Sequence, residues 1–291
     1  MKTKVKDNEF IKNLSGHSGC NVVLKQKDNS LIVEKSASTI KYNYRLKRQC
    51  KKQDKFLSKN SVHVPKILNY GYKDNLFYFD MEFVSGKTLA EYIEDISIME
   101  IASHMKCLFS SLYMNNNFAN SNAMTIFRNK ISALKIELSD YKQLNEIFNS
   151  LEEYDWSKVH KSPCHGDLTL ENIILGADKN LYLIDFLDSF YNSWMIDIAK
   201  LLQDLELKWS FRNKTISKNM ELRLLVAKEI LIEEILKRDN GFEDVKTIYH
   251  LLCLNIVRIY PYVKDVATLE FLNSSIEFLA GKIKNLKKGE I

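Results

Sequence analysis

Glycine and proline are scarce in this chain of 291 residues, with 9 and 3 copies. So few breakers of regular structure exclude a collagen-like or low-complexity chain and indicate mostly continuous helices and strands. The 5 cysteines are scattered and odd in number, which indicates reduced thiols rather than a disulfide framework or a metal knuckle. No apolar run approaches the roughly 18 residues of a membrane span, and no apolar signal core follows the first residues. We therefore expect a cytoplasmic protein without a membrane segment.

Positive charge is concentrated near the amino terminus. The net charge is +5, whereas the first 60 residues hold 15 Lys and Arg against 5 Asp and Glu. One interpretation of the basic run at residues 45–52 is a nucleic-acid-binding segment. The alternative is the solvated face of a helix, because Leu46, Cys50 and either Phe56 or Leu57 form one apolar stripe. We favour the helix and expect no nucleic-acid partner.

The hydrophobic pattern divides the chain into two parts. Residues 10–35 indicate three short strands, residues 40–58 a helix, and residues 62–67 and 77–83 two further strands. Beyond Gly86 the period becomes helical, and long helices are predicted at 88–115, 124–151, 194–207, 217–238, 243–260 and 265–286. Only residues 162–186 interrupt them with strand-like segments. We predict an α+β fold with a small β-rich N-terminal lobe, residues 1–84, and a larger helical C-terminal lobe, residues 85–291.

The most informative segment is CHGDLTLENIIL at residues 164–175, followed by LYLIDF at residues 181–186. It places Asp167 five residues before Asn172 and Asp185 thirteen residues beyond that. Metal-assisted phosphoryl transfer requires a carboxylate that accepts the proton of an attacking hydroxyl and oxygen ligands for Mg²⁺. Each residue alone is typical of a cap or turn. Together, beside strand-like runs, they predict a catalytic base, Asp167, and a metal pair, Asn172 and Asp185.

This spacing resembles the catalytic and metal loops of the kinase-like phosphotransferases, the family of aminoglycoside phosphotransferases and choline kinases. Their pattern is His-Gly-Asp, four residues, Asn, and then Ile-Asp-Phe. The resemblance implies a protein-kinase-like bilobal fold and an enzyme that transfers a phosphate of ATP, with Mg²⁺, to an alcohol group. It also implies that Asp197 braces the catalytic loop. The resemblance does not exclude GTP as the phosphate donor.

The resemblance further implies a nucleotide site in the N-terminal lobe. Lys35 matches the lysine that contacts the phosphates, and Gln49 stands where the family has the Glu partner of that lysine. Whether Gln49 takes over that role is left open by the sequence. The other implied contacts lie in a phosphate-covering loop and in the hinge between the lobes, at Ser15, Gly16 and Gly19 and at Met81, Glu82 and Val84.

The acceptor is the least determined part of the prediction. Only twelve positions separate Asp185 from Asp197, too few for the peptide-holding segment of protein kinases, so a small-molecule acceptor is expected. Mixed charge and an aromatic ring suit a hydroxyl-rich compound, and four groups are predicted to contact it: Asp188, Asp204, Trp209 and Arg212. We expect a sugar, polyol or amino sugar. The alternatives are an aminoglycoside, choline or ethanolamine as acceptor, or a catalytically silent binding module, and the oligomeric state is not indicated.

Overall fold

The computed structural model describes residues 9–14, 19–57, 62–114 and 122–290. The chain forms two compact units, the first of residues 1–87 and 173–188 and the second of residues 88–172 and 189–291. The α+β class predicted from the sequence is confirmed. Residues 173–188 group with the first unit, although the sequence analysis assigned them to the C-terminal lobe. The lobe boundary at residue 84 stays a prediction.

Two sheets form most of the first unit. The strands are β1 (Glu9–Leu14), β2 (Cys20–Lys27), β3 (Ser30–Ala37), β4 (Val62–His63), β5 (Ile67–Lys73), β6 (Leu76–Glu82), β7 (Gly86–Thr88), β8 (Ile173–Gly176) and β9 (Leu181–Leu183). One sheet has the order β1-β2-β3-β6-β5 and the other the order β4-β9-β8-β7. Two hairpins of the larger sheet turn through an Asp-Asn pair with φ between 47° and 64°, as two-residue turns with the twist of the strands require.

Helix α1 (Asn43–Asp54) packs on one face of the larger sheet. The core between them consists of Cys20, Leu24, Val33, Ala37, Leu46, Cys50, Phe77, Phe79 and Met81. Side chains alternate along a strand, so Lys35 shares a face of β3 with Val33 and Ala37. Its side chain therefore points to the buried face of the sheet, and the residue is only 4% exposed.

The second unit is mainly helical. Its helices are α2 (Leu89–Tyr92), α3 (Ile98–Leu112), α4 (Ala123–Glu137), α5 (Asn145–Glu153), α6 (Trp194–Leu205), α7 (Lys218–Leu236), α8 (Gly241–Val257) and α9 (Val266–Lys288). Helices α6 and α8 are buried on almost every side. Among the described residues, no helix combines the length and apolar character needed to span a membrane.

Two of the predicted long helices are interrupted. The segment at 88–115 divides into α2 and α3, because Ser97 begins a new helix through a capping box with Glu100. The segment at 124–151 divides into α4 and α5 near residue 140.

Strand β5 begins at the last residue of the strand predicted at 62–67 and extends six residues beyond it. Leu68, Tyr70 and Tyr72 alternate along this edge strand with polar residues or glycine, and all three apolar side chains are exposed. The alternation is typical of a strand, but the sequence analysis did not assign it.

Candidate active site

The predicted catalytic loop, residues 164–172, is shaped by local hydrogen bonds. Gly166 has a φ of 95°, a conformation that disfavours any side chain. The Asp167 amide donates to His165 Nδ1 at 3.3 Å, and the Thr169 amide donates to the Asp167 carbonyl at 2.9 Å. The Asn172 side-chain amide donates to the same carbonyl at 2.7 Å. This last bond uses the nitrogen of Asn172 and leaves its amide oxygen as a potential cation ligand.

Side chains of helix α6 bind this loop. Asp197, which is fully buried, accepts from the backbone N–H groups of His165 at 2.6 Å and Gly166 at 2.7 Å. The prediction that Asp197 braces the loop is confirmed. One helical turn further, Lys200 Nζ lies 3.1 Å from Asp167 Oδ1. The sequence analysis assigned no role to Lys200, since a lysine in an amphipathic helix is ordinarily a solvated residue.

In the first unit, the predicted phosphate-binding lysine and the predicted metal-binding carboxylate form an ion pair. Lys35 Nζ donates to Asp185 Oδ1. Burial lowers the pKa of the Lys35 ammonium, but the Asp185 carboxylate, together with Cys20 and Tyr42, raises it by more, so the pKa lies above its ordinary value and Lys35 is cationic near neutral pH. Asp185 itself has a φ of 59°, which Asp tolerates better than most residues.

Helix α1 and a residue just after its end contact the segment that follows Asp185 at three points. Arg48 Nη2 lies 2.9 Å from Asp188 Oδ1, and Lys52 Nζ donates to the Leu187 carbonyl at 2.8 Å. Just beyond the helix, the ring of Phe56 meets the ring of Phe186 edge to face, with centroids 5.2 Å apart. Arg48 and Lys52 are about one helical turn apart and therefore lie on one stripe of α1. The basic face is largely solvated, as predicted, since Arg48 is exposed. Arg48 and Lys52 in addition contact the segment that follows Asp185.

We predict that the double variant Arg48→Met/Lys52→Met binds Mg²⁺-ATP about 5-fold or more weakly, because the segment next to Asp185 loses two tethers worth roughly 0.5–1 kcal/mol each. Isothermal titration of the nucleotide with Mg²⁺ measures the change. Lys47→Met is the matched control, since Lys47 is an exposed residue of the same helix. Equal affinities for the double variant and this control would show that the tethers do not position Asp185.

Gln49 does not replace the missing Glu partner of Lys35 in this structure. Its side chain is buried, and its Nε2 donates to the Tyr42 hydroxyl at 3.3 Å. Within the described part of the chain, Gln49 Oε1 has no hydrogen-bond partner. Lys35 is instead paired with Asp185, and α1 is tied to the segment after Asp185 by Arg48 and Lys52.

Two of the three predicted hinge residues, Glu82 and Val84, line a cavity of about 490 Å³ in the first unit, together with Leu31, Ile32, Tyr182 and others. Gly86, which follows the hinge, has no room for a side chain, because a Cβ there would lie 2.2 Å from the Leu175 carbonyl oxygen. The third hinge residue, Met81, is buried in the core beneath the sheet.

Of the predicted phosphate-covering loop, only Gly19 is described; Ser15 and Gly16 lie outside the described residues. The Gly19 carbonyl accepts from the Ser38 amide at 3.2 Å and from the Ser38 hydroxyl at 2.6 Å. These bonds fix the start of β2, the strand that leads out of the predicted loop.

The structure corrects the prediction that Asp204 contacts the acceptor. Asp204 is fully buried; one oxygen accepts from the Leu170 amide at 2.7 Å, and the other accepts from the amide and hydroxyl of Ser210 at 2.9 and 2.8 Å. Burial raises its pKa to about 6, although these hydrogen bonds act in the opposite direction. Both oxygens are thus committed to holding the protein backbone.

The other predicted acceptor groups have partners within their own units. The Arg212 guanidinium lies 4.0 Å from the centroid of the Trp209 ring, and the Phe271 ring meets the same indole at 5.8 Å. Asp188 is paired with Arg48. A compound that stacks on Trp209 therefore has to displace Arg212 or contact the opposite face of the indole. The acceptor roles of Asp188, Trp209 and Arg212 stay predictions.

Comparisons with known proteins identify the family and the fold of the chain. A family model described as the phosphotransferase enzyme family matches residues 11–214. Protein LicA of Haemophilus influenzae is 29% identical over 139 residues, which are 42% of this chain and 51% of that protein. The match therefore spans about half the length of this curated relative.

Two solved structures are similar over nearly the whole chain. A putative fructosamine-3-kinase from Haemophilus somnus gives a TM-score of 0.59 at 13% identity, covering 95% of this chain and 92% of that chain. A thermostable mutant of aminoglycoside phosphotransferase APH(4)-Ia, in a ternary complex with AMP-PNP and hygromycin B, gives 0.55 at 10% identity, covering 97% and 95%. These likenesses confirm the predicted kinase-like fold. With the family model matching most of its length, the chain belongs to the phosphotransferase enzyme family.

Proposed function

We propose that this protein is an ATP-dependent kinase that transfers the γ-phosphate to a hydroxyl of a sugar, polyol or amino sugar. The observation that carries the proposal is the fixed carboxylate of Asp167. Its loop is held by Asp197 and its Oδ1 by Lys200, while Oδ2 has no protein hydrogen-bond partner among the described residues. That oxygen accepts the hydrogen bond of the acceptor hydroxyl and takes its proton as the hydroxyl oxygen attacks phosphorus.

Asn172 and Asp185 are the residues that we propose to hold Mg²⁺. Asn172 directly precedes β8, Asp185 follows β9 by two residues, and Ile173 pairs with Leu183 in this antiparallel hairpin. In the described ranges no cluster of three or more His, Cys, Asp or Glu is arranged to hold a metal ion. Few protein ligands suit Mg²⁺, which is typically shared with nucleotide phosphates and water.

The Lys35–Asp185 ion pair supports this assignment. Asp185 already stabilises one cation, the Lys35 ammonium, so its surroundings suit a positive charge. Mg²⁺ held at this site would offset the negative charge of the phosphates during transfer. We propose that Lys35 contacts the phosphates as a point cation, and that Gly19 and the hinge at Met81, Glu82 and Val84 contact the nucleotide. The neighbour crystallised with AMP-PNP supports ATP as donor.

Charge beside Asp167 favours an acceptor that is neutral or carries a single charge. The Lys200 ammonium lies 3.1 Å from Asp167 Oδ1, and Asp204 is enclosed in the interior, so less negative charge faces the acceptor than the sequence suggested. A polycation binds with high affinity only where several carboxylates face it. The similar structures are a putative fructosamine-3-kinase and a phosphotransferase in complex with hygromycin B, so fructosamines and aminoglycosides belong among the acceptors to be tested.

The test is ADP release with Mg²⁺-ATP and a panel of acceptors: sugars, polyols, fructosamines, choline, ethanolamine and aminoglycosides. We expect the highest kcat/KM with a neutral or singly charged hydroxyl compound, and little turnover with kanamycin-type polycations or peptides. Efficient phosphorylation of a polycation, with kcat/KM above about 10⁴ M⁻¹s⁻¹ as for an ordinary good substrate, would contradict the acceptor class and leave the kinase proposal standing.

A catalytically silent module is the second candidate, and Gln49 is the observation that favours it. Gln49 gives Lys35 neither a charge nor a hydrogen bond. The same panel separates the two candidates: nucleotide binding without turnover of any acceptor, and without Asp167-dependent ATP hydrolysis, favours the silent module.

A further inference from the structure

Helix α6 carries one residue that differs from all its neighbours. Eleven of its twelve residues are buried, and the exception is Lys200, whose side chain is 15% exposed. A lysine in such a helix lowers the stability of the fold unless its ammonium has a partner or reaches water. The Lys200 ammonium has such a partner, the carboxylate of Asp167.

Lys200 belongs to a stripe of α6 that follows the catalytic loop. Positions 197, 200 and 204 lie on one side of the helix. Asp197 accepts from the amides of residues 165 and 166, Lys200 meets the side chain of Asp167, and Asp204 accepts from the amide of residue 170. The order of the contacts along the helix matches the order of residues in the loop. One helix therefore fixes the position of the loop from residue 165 to residue 170.

The three contacts differ in what they hold. Asp197 and Asp204 bind backbone N–H groups and are completely enclosed, which is a structural task. Lys200 binds a side chain, and that carboxylate is 31% exposed. Ion pairs with this much access to water contribute little to stability, about 0–1 kcal/mol. Stabilisation of the fold is therefore a weak explanation for this pair.

We propose that Lys200 is a positioning residue that acts through Asp167, an inference that rests on the proposed role of Asp167 as base. By binding Oδ1, the ammonium selects one rotamer of the carboxylate and leaves Oδ2 directed to the acceptor hydroxyl. A base that is displaced by about 1 Å loses roughly 10² in rate. The carboxylate without Lys200 samples several rotamers, few of which are productive.

The test is a double-mutant cycle on the full chain, with kcat and KM measured for Lys200→Met, Asp167→Ala and the double variant. Lys200→Met should lower kcat by about 30- to 100-fold with KM for ATP within about 3-fold, and Lys200→Arg should recover part of the loss. In the Asp167→Ala background, Lys200→Met should cause no further loss, because the group it positions is gone.

Lys228→Met is the matched control. Lys228 lies on α7, its side chain is 14% exposed, and its Nζ is 3.3 Å from Glu206 Oε1, so the control removes an ammonium of equal burial from another ion pair. We expect it to lower Tm at least as much as Lys200→Met, because Glu206 is 6% exposed, while leaving kcat unchanged.

Four results would overturn the inference: near-normal kcat for Lys200→Met, a kcat loss matched by Lys228→Met, no recovery with Lys200→Arg, or losses that multiply in the double variant. Multiplied losses would mean that Lys200 acts on the phosphoryl group independently of Asp167. Failure of the proposed function gives a different pattern, since Asp167→Ala itself then retains its turnover.

Discussion

Asp167→Asn should lower kcat by roughly 10² or more while ATP affinity stays within a few fold of the wild-type value. Asn keeps the size and shape of the side chain, but its amide cannot take the proton of the acceptor hydroxyl. The loop should stay in place, because Asp197 holds it through the amides of His165 and Gly166. Steady-state kinetics with the best acceptor of the panel, together with nucleotide titration, measures both quantities.

Glu171→Gln is the matched control for this variant. It removes a carboxylate from the same loop, but Glu171 is exposed and has no assigned role, so kcat should be unchanged. Asp167→Asn with most of its turnover intact would remove Asp167 from the mechanism. A loss of ATP affinity as large as the loss of kcat would indicate a role in nucleotide binding instead.

Asp185→Asn should weaken Mg²⁺-ATP binding and abolish measurable transfer, because a carboxylate that binds the cation is replaced by a neutral amide. Asn is the replacement of choice, since the φ of 59° at this position suits Asn better than Ala. The variant also leaves the buried Lys35 ammonium without its carboxylate, so a lower Tm of the nucleotide-free protein is expected as well.

Asp54→Asn is the control, because Asp54 is an exposed residue of the same unit. Titration of ATP at several Mg²⁺ concentrations separates metal from nucleotide affinity. Asp185→Asn with normal turnover, or wild-type activity in excess chelator, would contradict the metal assignment. A variant with only a lowered Tm and normal kcat below that temperature would leave Asp185 a purely structural role.

The loop and the strand-like runs of residues 164–185 were predicted from residue types and spacing, and the structure forms them; the catalytic and metal-binding roles of their residues stay predictions. The role of Asp197 followed from the same resemblance, and the structure bears it out. Hydrophobic periodicity predicted α1 and most of the C-terminal helices, because these helices bury one face or their whole surface. Periodicity alone did not show the break at Ser97, where a capping box outweighs a continuous helical pattern.

Lys200, Arg48 and Lys52 escaped the sequence analysis for a common reason. Each is a basic residue within a helix, and sequence cannot tell a lysine in water from one that meets a carboxylate or carbonyl more than thirty positions away. Asp204 was misassigned for the converse reason. An acidic residue near an aromatic one suggested a polar pocket, whereas the chain buries it to satisfy the Leu170 and Ser210 amides.

The central claim is that Asp167 accepts the proton of a small-molecule hydroxyl while that hydroxyl receives the phosphate of ATP. Phosphorus-31 NMR of a reaction with Mg²⁺-ATP and the best acceptor of the panel tests it most directly, run side by side with wild type and Asp167→Asn. We expect ADP and a new phosphate monoester in equal amounts with the wild type, and neither at a comparable rate with the variant. Only inorganic phosphate across the whole panel, or equal monoester formation by both proteins, would contradict the claim.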